Sequence, residues 1–177
     1  MPYPHNLEFA QQAESICRDQ GAVPATIAII NGEVCVGLEK DQIELIARDP
    51  SVKKISRREL GLILSEKWHG AATVSATMHI ARSAGIRIFA TGGIGGVHRG
   101  AKDTFDISED LTALGSIPMV VISAGAKAIL DIGRTLEYLE TLGVVVVGYK
   151  TSEFPAFYSR HSGFHGIHQV DSAKHIA

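Results

Sequence analysis

The sequence predicts an α/β fold: a mixed, mainly parallel sheet flanked by helices on both faces, with an antiparallel hairpin near the N-terminus. Three observations lead there. Short apolar runs alternate with helical patterns of about 10–15 residues, the mark of parallel strands covered on both sides. Asn31-Gly32 stands between ATIAII (25–30) and EVCVGL (33–38), and this dipeptide suits a type I′ turn, which needs positive φ at both central residues. The composition, 45% hydrophobic with 20% charged residues over 177 residues, belongs to a chain that can bury a core, and the length suits one domain spanning 1–177.

The elements follow in order. Residues 5–20 place Leu7, Ala10, Ala13, Ile16 and Cys17 near one helical face, with Asn6 available as a cap. After the hairpin come a helix at 40–48, a short strand at Lys53–Ser56, a helix at 57–67 and another over 71–84. A strand Ile86–Ala90 leads into a glycine-rich loop at 91–100, then a helix near 107–115 and a strand Met119–Ile122. The most regular helical pattern covers 125–141, with Ile129, Leu130, Ile132, Leu136 and Leu139 near one face, and Val144–Val147 reads as the next strand. The helix at 5–20 has no strand before it, and DSAKHIA opens a helix, capped by Asp171 or Ser172, that stops within about two turns. These ends suggest a part of a longer protein, or a gene product trimmed at both ends.

Charge and cysteine content exclude several classes. Lys+Arg 17 against Asp+Glu 19 leaves a net charge of −2, with no basic run to attract nucleic acid or an anionic membrane. Cys17 and Cys35 are too few for a disulfide framework and read as buried small hydrophobes in a reducing cytosol. No apolar stretch approaches the ~20 residues that span a bilayer, and MPYPHNLEF lacks a basic n-region followed by an apolar h-region. A soluble cytoplasmic protein is expected.

In open α/β sheets ligands gather at the carboxyl ends of the strands. ATGGIGGVHRG (90–100) lies at such a place, and its glycines permit positive φ and close approach of backbone amides to a ligand. The dinucleotide pattern fails because His98 stands where its third glycine belongs. The phosphate-loop pattern fails because its lysine is displaced by one position, to Lys102. A plain tight loop remains the alternative. FDISEDL (105–111) then brings Asp106, Glu109 and Asp110 together. Capping by Ser108 or Asp106 and favourable dipole contacts explain part of this, and a hard-oxygen site for Mg²⁺ or Mn²⁺ is the competing explanation.

SAGAK (123–127) places Lys127 in the first turn of the long helical pattern after the strand PMVVIS. The helix dipole and apolar neighbours there favour a neutral, nucleophilic amine able to form a Schiff base, whereas a lysine reaching solvent is the ordinary alternative. KKISRREL (53–60) offers cations at a strand–helix junction, and GAATVSATM (70–78) offers helix N-terminal amides at Thr73, Val74 and Ser75 to a phosphate. A solvated face and ordinary capping by Thr73 compete with those two readings. His161, His165 and His168 lack metal-site spacing and read as a surface loop.

VPATIAIINGEVCVGL, KKISRREL, GAATVSATM, FATGGIGGVHRGAKDTFDISEDL, SAGAKAILDIGRTLEYLETLGVVVVGYKT and FPAFYSR together resemble the pseudouridine-5′-phosphate glycosidases, also called the indigoidine synthase A family. The resemblance implies reversible cleavage of the C1′–C5 bond of pseudouridine 5′-phosphate to uracil and ribose 5-phosphate, with Mn²⁺ as the divalent metal and a homotrimeric assembly. It places the Schiff-base lysine at Lys127 and the metal-binding aspartate at Asp106. The substrate-contacting tripeptide falls on Ser108, Glu109 and Asp110, and further substrate contacts fall on Lys54 and the backbone of Val74. Two family features have no match: a proton-donating glutamate just before the segment matching Met1-Pro2, and a later region carrying an asparagine that contacts uracil. General acid–base catalysis contributes roughly 10²–10⁴-fold, so a catalytically impaired chain that at most binds sugar phosphate is the alternative expectation.

Overall fold

The computed structural model describes residues 1–176. In order, its elements are α1 (His5–Asp19), β1 (Ile27–Ile30), β2 (Glu33–Val36), α2 (Lys40–Arg48), β3 (Lys53–Ile55), α3 (Leu60–Ser65), β4 (Gly70–Ala72), α4 (Val74–Ser83), β5 (Ile88–Ala90) and β6 (Val97–His98). There follow α5 (Ala101–Thr104), α6 (Glu109–Ser116), β7 (Val120–Ile122), β8 (Leu130–Asp131), α7 (Ile132–Thr141), β9 (Val147–Tyr149), β10 (His168–Val170) and α8 (Ala173–Ile176). The α/β class is as expected. The chain divides into two compact units, Met1–Gly85 and Ile86–Ala177.

The first unit is built on a four-stranded sheet of order β2-β1-β4-β3. The expected hairpin is present: β1 and β2 run antiparallel with Ile30 opposite Glu33. Asn31 (φ 51°) and Gly32 (φ 74°) supply the positive φ angles of the turn, and the Gly32 amide donates to the Trp68 carbonyl at 3.0 Å. The pleat divides the core. Ala28 packs with Leu38, Ile43, Leu7, Ala10 and Ile46, which come mainly from α1 and α2. Ile29, pointing the other way, packs with Ile55, Ile63 and Leu60. Helical residues therefore cover both faces, as period-2 alternation along β1 requires.

Local details depart from the sequence reading. Asn6 lies within α1 rather than before it; its side-chain amide donates to the Ala47 carbonyl at 2.7 Å and so ties α1 to the end of α2. The segment expected to open a helix at 71 is instead strand β4, antiparallel to β1 and parallel to β3. Gly70 is what lets it enter the core, because a Cβ there would stand 2.5 Å from Ile63 Cδ1. The helix expected at 57–67 is a short 3-10 turn, Arg57–Glu59, followed by α3. Cys17 and Cys35 are partly rather than fully buried.

Among its described residues the second unit holds three separate two-stranded ladders, not one extended sheet: β5 with β7 (parallel), β6 with β8 (antiparallel) and β9 with β10 (parallel). The helix expected over 125–141 begins only at Ile132, where Asp131 caps it by accepting from the Arg134 amide at 3.1 Å. The strand expected at Val144–Val147 lies two to three residues later, as β9. At the C-terminus Ser172 accepts from the His175 amide at 3.3 Å, so the expected helix opening is present; its last residue, Ala177, lies outside the described residues.

Candidate functional site

In the second unit three sequence motifs are joined by backbone hydrogen bonds. The run Ile94–His98 is the centre. Ile94 donates to the Gly125 carbonyl at 3.0 Å and accepts from the Lys127 amide at 3.1 Å, so the glycine segment and SAGAK pair as parallel strands would. On the DIS side, the Ser108 amide donates to the Gly96 carbonyl and the His98 amide to the Asp106 carbonyl, each at 3.0 Å.

Two buried side chains bind the same run. Asp110, 4% exposed, accepts from the Gly95 amide at 2.8 Å. Thr135, fully buried, accepts from the Val97 amide at 3.0 Å while its hydroxyl donates to the Asp131 carbonyl at 2.7 Å. The amides of Ile94, Gly95, Val97 and His98 are thus used inside the protein. The expectation that this stretch cradles a ligand with its amides fails at those positions. Its central glycines serve space rather than φ. A Cβ on Gly95 would meet Ser108 Oγ at 2.1 Å, one on Gly96 would meet Thr135 Oγ1 at 2.4 Å, and one on Gly93 would meet the Phe157 ring at 2.6 Å.

Lys127 leaves this buried scaffold with an exposed side chain. It precedes α7 by five residues and sits before a turn closed by the Leu130 amide on the Lys127 carbonyl at 3.0 Å. The first-turn placement read from the sequence, and the helix-dipole argument built on it, therefore do not apply. Ser108 is the N-cap of α6, accepting from the Asp110 amide at 3.2 Å, so Glu109 and Asp110 occupy the first turn of that helix. Asp106 is exposed, with His98 Nδ1 at 3.7 Å from its carboxylate. Among the described residues no three His, Cys, Asp or Glu side chains form a metal cage. A single exposed carboxylate is the kind of oxygen donor that a hard divalent cation takes while keeping several waters.

The remaining predicted positions lie in the first unit. Lys54 is exposed on β3, its backbone paired with Ala71 of β4. Val74 opens α4, where helix N–H groups lack intrahelical acceptors. The Thr73 amide donates to the Ile55 carbonyl at 2.8 Å, so the ends of β3 and β4 and the start of α4 lie together. Ser56 and Glu59 close a capping box there, with the Ser56 amide and hydroxyl both donating to the Glu59 carboxylate. The Ser56 hydroxyl and amide, with Arg58, hold the Glu59 carboxyl down at about 2. Of the neighbouring cations, Lys53 lies over the Trp68 ring at 5.8 Å and Arg58 pairs with Glu59.

Sequence reasoning missed Thr135, Phe157 and Glu153. Phe157 (φ 62°) packs its ring at Gly92 and Gly93 and donates its amide to the Ala124 carbonyl at 3.1 Å. The only early signal was the aromatic run FPAFY. Glu153 joins the histidine tract: His161 Nδ1 lies 3.0 Å from its carboxylate, and His168 begins β10.

The architecture and the site define a class first: an α/β protein in which a buried glycine strand clasps a lysine loop to an acidic helix N-terminus. Over residues 1–177 the chain matches the family described as indigoidine synthase A like protein, and it belongs to that family. It is 57% identical to a pseudouridine-5′-phosphate glycosidase of Clostridium botulinum and 56% identical to one of Nocardioides, over 100% of the chain and 58% of each relative. The chain thus spans a little under three-fifths of those relatives' length. An indigoidine synthase A-like protein of Thermotoga maritima superposes with TM-score 0.93 at 36% identity, covering 99% of this chain and 59% of that one. A prealnumycin C-glycosynthase, solved in complex with ribulose 5-phosphate, superposes with TM-score 0.90 at 45% identity, covering 96% and 56% respectively. Among the described residues no helix is long and apolar enough to cross a membrane.

Proposed function

We propose that the chain carries the sugar-phosphate chemistry of a pseudouridine-5′-phosphate glycosidase, in which Lys127 forms a Schiff base with C1′ of the opened ribose 5-phosphate. The observation that supports this most directly is the bond from the Lys127 amide to the Ile94 carbonyl, which ties an exposed lysine to the same glycine strand that pairs with Asp106 and Ser108. A C–C glycosidic bond cannot be broken by protonating a leaving oxygen, so an electron-accepting iminium is the useful intermediate. In the synthetic direction the Lys127 nitrogen pair attacks the aldehyde carbon and water leaves. Uracil C5 then adds to the iminium carbon and loses its proton, and closure of the sugar ring through its ring oxygen expels the lysine. Cleavage is the reverse, with the C1′–C5 electron pair passing to uracil and a proton returning to C5.

Lys54, the Val74 amide, Ser108, Glu109 and Asp110 are assigned to the substrate in this reading. Asp110 is already committed to the Gly95 amide, so its part includes fixing the glycine strand. Asp106 is the residue that would hold Mn²⁺, with water completing the coordination. The ion, when bound, would supply positive charge that polarises sugar oxygens. Uracil, ribose 5-phosphate and pseudouridine 5′-phosphate are the small-molecule partners in this reading, and a cytoplasmic homotrimer is the proposed state of the whole enzyme.

Lys127→Ala is expected to abolish covalent trapping by borohydride in the presence of ribose 5-phosphate, read as the mass added to the chain; equal trapping in the variant rejects the Schiff-base role. A second reading is a sugar-phosphate binder with little turnover, supported by the likeness to a C-glycosynthase solved with ribulose 5-phosphate. Uracil release from pseudouridine 5′-phosphate with Mn²⁺ separates the two: trapping without release supports the binder, and robust release excludes it.

A further inference from the structure

We propose that Glu153 is a positioning residue for Lys127, acting through the loop that it closes. Its side chain is only 11% exposed although charged. One carboxylate oxygen accepts from the amides of Ser162 at 2.6 Å and Gly163 at 2.7 Å, and the other faces His161 Nδ1 at 3.0 Å. Its own amide donates to the Thr151 hydroxyl at 3.0 Å. Donors aimed at a carboxylate make hydrogen bonds roughly twice as strong as neutral ones. The Gly163 amide above all, then His161 and the Ser162 amide, hold the carboxyl down at about 2, so the clamp is anionic at ordinary pH.

The clamp joins the two ends of one loop. Phe154 donates to the Phe164 carbonyl at 2.9 Å, Glu153 pairs with His165, and the Ser162 hydroxyl donates to the Phe154 carbonyl. The far side of the loop rests on the lysine segment: Ala156 pairs antiparallel with Gly125, and the Phe157 amide reaches the Ala124 carbonyl at 3.1 Å. Gly125–Ala126 is consequently flanked by two partners, Ile94 and the Ala156–Phe157 pair, and Lys127 is the next residue. Phe157 adopts φ 62°, an uncommon conformation for a bulky side chain, which persists only where its surroundings enforce it. Glu153 is the charged group that holds the ends of this loop, and nothing in the chemistry assigned to Lys127 otherwise requires it. The catalytic meaning of the clamp rests on the Schiff-base reading above.

Glu153→Ala and Glu153→Gln separate positioning from bulk. Gln keeps an oxygen for the two amides and presents an NH₂ to His161, so it is the conservative variant. Two measurements are made on each full chain, after circular dichroism confirms folding. The first is the rate of borohydride trapping against ribose 5-phosphate concentration. The second is competitive acetylation of Lys127 by acetic anhydride relative to Lys40 and Lys102, read by mass spectrometry. For E153A the maximal trapping rate is expected to fall about tenfold, with half-saturation changed less than about twofold, because orientation rather than binding is lost. Relative acetylation of Lys127 is expected to change about threefold in E153A and less than about twofold in E153Q. Unchanged values in E153A, or a loss in E153Q as large as in E153A, overturn the proposal. If the unmodified chain is not trapped at all, the Schiff-base reading fails, and acetylation alone decides the positioning role. If E153A does not fold, His161→Ala, which removes one donor from an exposed side chain, carries the test with an expected change of about twofold. No change there also overturns it.

Discussion

At Gly95 a methyl group would overlap two groups already engaged, the Ser108 hydroxyl that caps α6 and the Asp110 carboxylate that accepts from the Gly95 amide. Gly95→Ala is therefore expected to lower stability by about 1–3 kcal/mol, since an overpacked core must shift its neighbours. Gly61 in α3 meets nothing within 4 Å, and Gly61→Ala should stabilise by about 0.5–1 kcal/mol through helix propensity. Urea denaturation of the two variants compares them directly. Thr135→Val keeps the shape but leaves the Val97 amide without its acceptor, and a cost of about 1–3 kcal/mol is expected in the same measurement. The glycine density was plain in the sequence, but its purpose was not. The groups that demand the missing side chains, Ser108, Thr135 and Phe157, lie between about ten and sixty-five residues away, and no local pattern links them.

Elements with strong local chemistry were legible and those made by tertiary contact were not. The β1–β2 hairpin follows from Asn31-Gly32, and α6 from its Ser108 cap. Strand β4, Gly-Ala-Ala, has no strand propensity of its own; it forms because Gly70 slides beneath Ile55 and Ile63 between β1 and β3. The 125–131 stretch keeps helical periodicity, yet Gly125 takes φ 85° and the backbone pairs with Ile94 and Ala156 instead. The start signal is the Asp131 N-cap, which opens α7 only at Ile132. Two elements also carry an acid response. Glu59 in the turn before α3 and Glu153 in the clamped loop both lie near 2, against an ordinary 4.5. A depressed carboxyl stabilises the fold at pH above its unfolded value, and that contribution disappears as pH falls through the folded one. Stability should therefore decline between about pH 4.5 and pH 2. E153Q should flatten part of that decline, which urea midpoints at pH 6 and pH 3.5 would show; equal slopes would contradict the clamp's share.

On the scale of the molecule, the expected single, mainly parallel sheet is replaced by a four-stranded sheet in one unit and three short ladders in the other. The β5–β7 ladder presents Ile88 (65% exposed), Val120 (44%) and Ile122 (56%) on one face. Parallel strands are ordinarily covered on both faces. The chain should accordingly bind an apolar dye such as anilinonaphthalene sulfonate, and Ile88→Thr with Ile122→Thr should reduce that fluorescence without changing the far-ultraviolet dichroism. Unaltered dye binding would place the apolar surface elsewhere. The family was legible because its motifs are local strings. The expected site residues were legible only through those strings, since Lys54 and Val74 fall in one unit and Asp106, Ser108 and Lys127 in the other, and no single stretch of sequence holds them all.

The Asn31-Gly32 turn bears on chemical ageing. Asparagine followed by glycine is the pairing most prone to deamidation, which begins when the glycine nitrogen attacks the asparagine side chain. Here that nitrogen is engaged by the Trp68 carbonyl, and a Cβ at Gly32 would already stand 2.7 Å from the Leu64 carbonyl. Cyclisation to the succinimide must first break the turn, so stored protein should accumulate aspartate and isoaspartate at position 31 far more slowly when folded than when denatured.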